Sequence, residues 1–263
     1  MVKTLRIGFV EWPEGLSTDH PNWPELKRSI SSARPDILIT NELPFGPWIA
    51  ESAVFSEEDA RLSIEAHERG LEGLIDLSVP AIISSRPVRT GKRLVNEAFA
   101  LENRSVRPLH RKQYFPNEPG WFESEWYAGD DSGFHVAEVM GIQVGLLLCT
   151  DAMFNERARA YGRHKAALIV IPRASGLDLD SWKIAGAMAS LVSGAYVVSS
   201  NRVGTAKGGT EFGGGGYAYA PHGRLIATTD AMHPVQVFEL DPSVTSAAQR
   251  EYPCYVSELN DGN

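Results

Sequence analysis

Nine short apolar runs rich in β-branched residues recur along the chain, and they constrain its fold more than any other feature. They cover 5–10, 36–40, 79–84, 95–101, 142–149, 167–171, 196–200, 216–220 and 235–240. Helical patterns fall between them at 21–34, 56–76, 154–162 and 180–194. The second opens on the acid-rich Ser56-Glu57-Glu58-Asp59, as a first helical turn does. The third sets Phe154, Ala158 and Tyr161 on one face, and the fourth does the same with Trp182, Ala185, Met188, Ala189 and Val192. Strands alternating with helices predict parallel βαβ units, because a parallel neighbour needs a crossover long enough to hold a helix. The stretches 93–110 and 213–228 read as hairpins, the second turning at Pro221-His222-Gly223. The expectation is an α/β fold: a mixed sheet, or two, covered by helices. Neither a repeat nor a low-complexity linker divides the sequence, and 263 residues suit one such domain over 1–263.

Composition narrows the partners. With 43% hydrophobic residues the chain has material for a large core, and it needs no metal or disulfide staple. A formal charge of -8 repels phosphate backbones and anionic lipids, so neither nucleic acid nor a membrane surface is an expected partner. Two cysteines, Cys149 and Cys254, form no CxxC pair and suit a reducing compartment. The first fifteen residues read as a strand rather than a signal peptide, and the eighteen uncharged residues 184–201 read as a buried helix then a strand. A cytoplasmic protein is expected. Seven histidines show no HxH or HExxH spacing, so no zinc site is expected. The glycine cluster at 208–209 and 213–216 lacks the strand–GxGxxG–helix setting of a phosphate loop. It reads instead as backbone packed closely against a neighbour.

Three strand ends carry chemistry. The run Val144–Leu148 delivers Cys149 to a strand-to-helix turn, where backbone N–H groups can lower a thiol pKa and cradle an oxyanion. Glu42 ends the strand in DILITNELPFG, and parallel pairing would bring it to the same sheet edge. Lys112 leaves another strand into the aromatic loop RKQYFPNEPGWFESEWY. Singly these residues read as a buried thiol, a solvated acid and a surface lysine; together they make a set.

That set resembles the nitrilase, or carbon–nitrogen hydrolase, superfamily. The resemblance rests on ITNELP, HRKQYFP, Cys149-Thr150-Asp151 with Phe154-Asn155-Glu156, residues 167–172, GAYVVSSNRVG and FGGGGYAYAPHGRLIA, and so spans nearly the whole chain. It implies a four-layer αββα sandwich of two mixed β-sheets covered by helices, and hydrolysis of a non-peptide C–N bond without metal or organic cofactor. By the same resemblance Glu42 is the general base, Lys112 the oxyanion-stabilising ammonium and Cys149 the nucleophile that forms a thioester. The backbone N–H of Thr150 would be the second oxyanion donor. A second glutamate that positions substrate and lysine is implied as well. Glu118, Glu123 and Glu125 compete for it, and the family's spacing favours Glu123.

Departures from subfamilies shape the substrate. Thr150 stands where nitrile-hydrolysing members have Trp, which favours a small linear amide or an N-carbamoyl compound. Ala152 and Met153 occupy positions where amino-acid carbamoylases have carboxylate-holding arginines. Arg173, at the end of the next strand, is expected either to face the pocket and bind an anionic group or to serve as a salt-bridged framework residue. Trp121 and Trp182 are expected to wall the substrate pocket. Rival readings are a nitrilase, a cysteine–histidine hydrolase using His110 or His135 as base, and a catalytically silent binding protein on the same fold. Family habit also implies a homodimer or larger even oligomer through helices 154–162 and 180–194.

Overall fold

Strand side chains alternate between two faces, and in this protein the sequence makes both faces apolar. The computed structural model describes residues 4–130 and 133–257, so the ends of the 1–263 domain expectation lie outside the described residues. The first elements are strand β1 (Leu5–Val10), the short strand β2 (Trp12–Pro13), helix α1 (Trp23–Ala33) and strand β3 (Ile37–Ile39). Helix α2 (Glu57–Asp76) leads into the antiparallel strands β4 (Ala81–Thr90), β5 (Arg93–Glu102) and β6 (Ser105–Arg111). After the one-turn helix α3 (Glu123–Trp126) come β7 (Ala137–Val139), β8 (Ile142–Leu146), α4 (Asn155–Arg163), β9 (Leu168–Arg173), α5 (Leu179–Ser193) and β10 (Tyr196–Thr205). Last are β11 (Glu211–Gly213), β12 (Tyr217–Ala220), β13 (Arg224–Thr228), β14 (Val235–Leu240) and α6 (Pro242–Ala248).

Two mixed sheets result. One runs β14-β1-β3-β4-β5-β6 and the other β13-β12-β10-β9-β8-β7, with β2 and β11 also on β10. In each the centre is parallel, β1 with β3 and β4, and β8 with β9 and β10. Odd and even positions separate the layers. Ile37 and Ile39 point into the space between the sheets and meet Val144, Leu146, Val170 and Val198. Leu38 and Ile82 point outward onto Trp23, Leu26 and Ile30 of α1 and Leu74 of α2. On the far side Ile169, Ile171 and Val197 pack under Ala158 and Tyr161 of α4 and Ala189 of α5. The order is therefore helix, sheet, sheet, helix.

Local chemistry sets the helix ends. The Ser56 side chain accepts a hydrogen bond from the Asp59 N–H and caps α2, and three acids follow in its first turn. Asp178 caps α5 in the same way, and Gly194 ends that helix in the left-handed region. Gly194 also divides the uncharged stretch 184–201 into helix and strand. Among the described residues no helix is long and apolar enough to cross a membrane. The glycine cluster packs as expected: the Gly213 N–H donates to the Ser175 carbonyl, and a Cβ at Gly213 would lie 2.6 Å from the Gly176 carbonyl oxygen.

Candidate active site

The two sheets touch where their parallel strands end. Just beyond β3, the Glu42 N–H donates 3.2 Å to the carbonyl of Arg173 at the end of β9. The Glu42 side chain is fully buried there. Its Oε1 accepts from Lys112 Nζ at 2.8 Å and from Asn96 Nδ2 at 2.7 Å, and its Oε2 accepts from the Ala174 N–H at 3.2 Å. Lys112, one residue past β6, donates a second bond of 2.6 Å to Glu123 Oε2 at the start of α3. Cys149 follows β8 and donates from Sγ to the Ala174 carbonyl at 3.9 Å. Ala174 thus bonds Glu42 with one peptide group and Cys149 with the next. Glu42, Lys112, Glu123 and Cys149, drawn from the segments that follow β3, β6 and β8, converge at one place.

The turn at Cys149 is strained by design. Its φ is +48°, a left-handed conformation that a side chain with a Cβ adopts at a cost of about 1 kcal/mol or more. Asp151 holds it. This buried carboxylate accepts the Leu148 N–H and His110 Nε2 on Oδ2, and the N–H groups of Gln113 and Tyr114 on Oδ1. It therefore ties the turn of the sulfur to the segment that follows Lys112. Leu43, next to Glu42 and also at positive φ, is clamped through its N–H by Ser85 Oγ and through its carbonyl by Arg202.

Electrostatics follow from burying two carboxylates, one ammonium and one thiol together. Burial would neutralise Lys112, but Glu123 and Glu42 outweigh it and hold the ammonium well above its ordinary range. Glu123 is pushed up to about 8, by burial first and by competition with Glu42 for one ammonium, against the pull of Lys112. Its proton is held in the fold and released in the unfolded chain above the ordinary carboxyl range. Its contribution to stability therefore falls as pH rises from that range towards 8. Burial, aided by the Glu42 charge and opposed by Lys112, raises the Cys149 thiol well above its usual value. The resting sulfur is a thiol that needs a base. Its reaction with a small neutral thiosulfonate is expected to accelerate about tenfold per pH unit through pH 7–9. A rate already level below pH 7 would mean a preformed thiolate.

The sulfur opens onto a cavity of about 310 Å³, lined by Pro116, Glu118, Trp121, Glu123, Cys149, Thr150, the segment 174–178 and Trp182. Trp121, anchored by its Nε1 on the Ala174 carbonyl at 3.2 Å, and Trp182 both stand in the wall. Glu118 lies exposed at the rim, and Glu125 turns away to Asn117. Arg173 corrects an expectation, because it does not line the cavity. Its guanidinium is buried, donating to Ser199 Oγ, Ser175 Oγ and the Gly215 carbonyl, and it lies between the rings of Trp182 and Tyr217. It is a framework residue, though held by hydroxyls, a carbonyl and aromatic faces rather than by a salt bridge.

The histidine rivals are placed elsewhere. His110 gives Nε2–H to Asp151 at 2.9 Å and accepts the Phe134 N–H on Nδ1, so both ring nitrogens are engaged. His135 is exposed and lines no part of the cavity. Cys254 sits away on the C-terminal side of α6, with Sγ on the Leu191 carbonyl. Among the described residues no group of three or more His, Cys, Asp or Glu could hold a metal ion. Sequence reasoning overlooked Asn96 and Asp151. Asn96 carried a usable signal, a polar residue inside the apolar run 95–101; Asp151 carried only its adjacency to Cys149.

A family profile described as carbon–nitrogen hydrolase matches residues 74–250. An N-carbamoylputrescine amidase of Solanum lycopersicum is 30% identical over 149 residues, which are 51% of this chain and 50% of that protein. The chain thus spans about half the length of that curated relative. A carbon–nitrogen hydrolase from Helicobacter pylori G27 superposes with a TM-score of 0.84 at 21% identity, over 96% of this chain and 94% of that one. An amidase from Nesterenkonia sp. gives 0.75 at 21% identity, over 92% of each chain. At such identities the structural likeness speaks to the fold alone.

Proposed function

The chain belongs to the carbon–nitrogen hydrolase family, and from that premise we propose that it hydrolyses a small linear amide or N-carbamoyl compound through a thioester on Cys149. The observation that carries this reading is the buried Lys112 ammonium held between Glu42 and Glu123 beside a thiol at a cavity floor. Glu42 takes the Cys149 proton as the sulfur attacks the carbonyl carbon, because a thiol with a raised pKa is a weak nucleophile without a base. The C–S bond forms and the carbonyl oxygen becomes an oxyanion, met by the Lys112 ammonium and the Thr150 N–H. Such donors in a water-poor site are worth a few kcal/mol, about 3 by analogy with other oxyanion holes. Collapse breaks the C–N bond as Glu42 returns the proton to the departing nitrogen, which leaves as ammonia or an amine. Water, deprotonated by Glu42, then attacks the thioester and restores the thiol. Glu123 fixes Lys112 through Oε2, and its Oε1 has no hydrogen-bond partner among the described residues and is open to the substrate amide.

The likeness to an N-carbamoylputrescine amidase supports including N-carbamoyl amines among the substrates. Thr150 after the nucleophile disfavours nitriles. The test is ammonia release from an amide, an N-carbamoyl amine and a nitrile of matched chain length. Turnover of either of the first two with the nitrile inert is expected; a nitrile converted faster than its amide would reverse the assignment.

A homodimer, or a larger even assembly, is part of the proposal. Helix α5 exposes Ile184, Met188 and Leu191 at i, i+4 and i+7, and Met153 and Leu177 are exposed as well. Such a stripe on a helix suits a two-fold contact. Light scattering should report twice 28.8 kDa or a multiple for the wild type, and Ile184→Glu with Met188→Glu should shift it towards 28.8 kDa. A wild type at 28.8 kDa across concentrations would contradict the assembly.

A further inference from the structure

We propose that the cavity selects amides and N-carbamoyl compounds whose far end carries a positive charge, and discriminates against those ending in a carboxylate. The proposal rests on the hydrolase reading above and names the substrate class of the same site. Apart from Cys149, every ionisable side chain lining the cavity is acidic: Glu118, Glu123 and Asp178. Among the described residues no basic side chain lines it: the Lys112 ammonium is held by Glu42 and Glu123 at the deep end, Arg173 is spent on Ser175, Ser199 and Gly215, and Lys183, next to Trp182 in sequence, is not a lining residue. The acids are distributed by depth. Glu123 is buried beside the sulfur, whereas Glu118 and Asp178 are exposed. Asp178 stays ionised because Ser181 hydrogen-bonds its carboxylate and holds it below the ordinary range.

A second observation points to a ligand here. Glu123 Oε1 is buried and has no hydrogen-bond partner among the described residues, and a buried polar atom left so is costly unless a bound group completes it. The amide group of a substrate seated on Cys149 would do so at the deep end. Trp121 and Trp182 line the same cavity and offer apolar walls that suit a short methylene chain. A molecule matching all three parts has an amide or urea group at one end, a few methylenes, and an ammonium that meets Glu118 and Asp178 at the mouth. A terminal carboxylate would meet like charges there, with no cation among the described lining residues to offset them.

The test uses full-length Cys149→Ala protein, so that binding is read without turnover, and three amides of one chain length: 4-aminobutanamide, pentanamide and the monoamide of glutaric acid. By calorimetry at low salt, 4-aminobutanamide is expected to bind about tenfold or more tighter than the glutaric monoamide, with pentanamide between them. Added salt should narrow the ratio. Glu118→Gln with Asp178→Asn should also bring it towards unity; asparagine can still cap α5, and an unchanged melting temperature would verify that. Equal binding, a preference for the carboxylate, no binding of the ammonium compound, or a ratio untouched by the double substitution would overturn the proposal. Failure of the hydrolase reading is distinct: the binding order would hold while wild-type protein released no ammonia from any of the three.

Discussion

Replacing Cys149 by alanine is expected to reduce amide or carbamoyl hydrolysis on the order of 10⁴-fold or more, to the background of the assay. The sulfur stands on the cavity wall with Glu42, the Lys112 ammonium and Glu123, whose Oε1 has no partner among the described residues, as its charged neighbours. Removing it leaves the remaining groups with nothing to deliver to the carbonyl. The substitution is mild for the fold. Alanine keeps the Cβ that the positive φ already tolerates, and what is lost is one weak Sγ bond to the Ala174 carbonyl. The stability change should stay within about 1 kcal/mol, or a few degrees of melting temperature. Activity lost with the melting curve intact is therefore the expected signature. Residual hydrolysis near the wild-type level would remove Cys149 from the chemistry.

Glu42→Gln should have the next largest effect, a fall of about 10³-fold in kcat with a much smaller change in KM. Glutamine has the same shape, and its oxygen can still accept from Lys112 and Asn96. It cannot take the thiol proton, return it to the leaving nitrogen or activate water. Its amide nitrogen would also face the Ala174 N–H that now donates to Oε2, so a modest loss of stability is expected. A second readout follows from charge. With Glu42 neutral, Glu123 no longer shares Lys112 with another carboxylate, and its proton should be released at lower pH than the present value of about 8. Infrared titration of the buried carboxyl would detect that change. Wild-type kcat in Glu42→Gln would exclude a role in proton transfer.

The alternation of strand and helix, and the two faces of each strand, were legible in the sequence because burial on both faces leaves a near-continuous apolar run at each central strand. The ends of strands were not. Strand β4 continues to Thr90 and pairs with β5 throughout, although its apolar run stops at Ser84. Beyond that point Arg86, Pro87 and Arg89 hide it, since the pairing is supplied by the hairpin partner rather than by local preference. Likewise β7, β11, α3 and α6 are too short for a period to register. Residues at the strand ends could be named from their type and order. Their mutual geometry depends on contacts between loops as far apart as Glu42 and Ala174, which no local pattern encodes. Arg173 shows the limit most clearly: its position at a strand end suggested the pocket, and only the three-dimensional placement of Ser199, Ser175 and Gly215 reveals where its donors go.

The most direct test of the central claim, that Cys149 carries the acyl group, is mass spectrometry of the Cys149 peptide after acid quench of protein mixed with an amide it turns over. Glu42→Gln, which should slow the water step, is measured beside the wild type. The expected result is a mass increase equal to the acyl group on that peptide, removed by hydroxylamine and missing from Cys149→Ala. Continuing ammonia release with the Cys149 peptide unmodified under rapid quench in both proteins, or an adduct on any other residue, would contradict it.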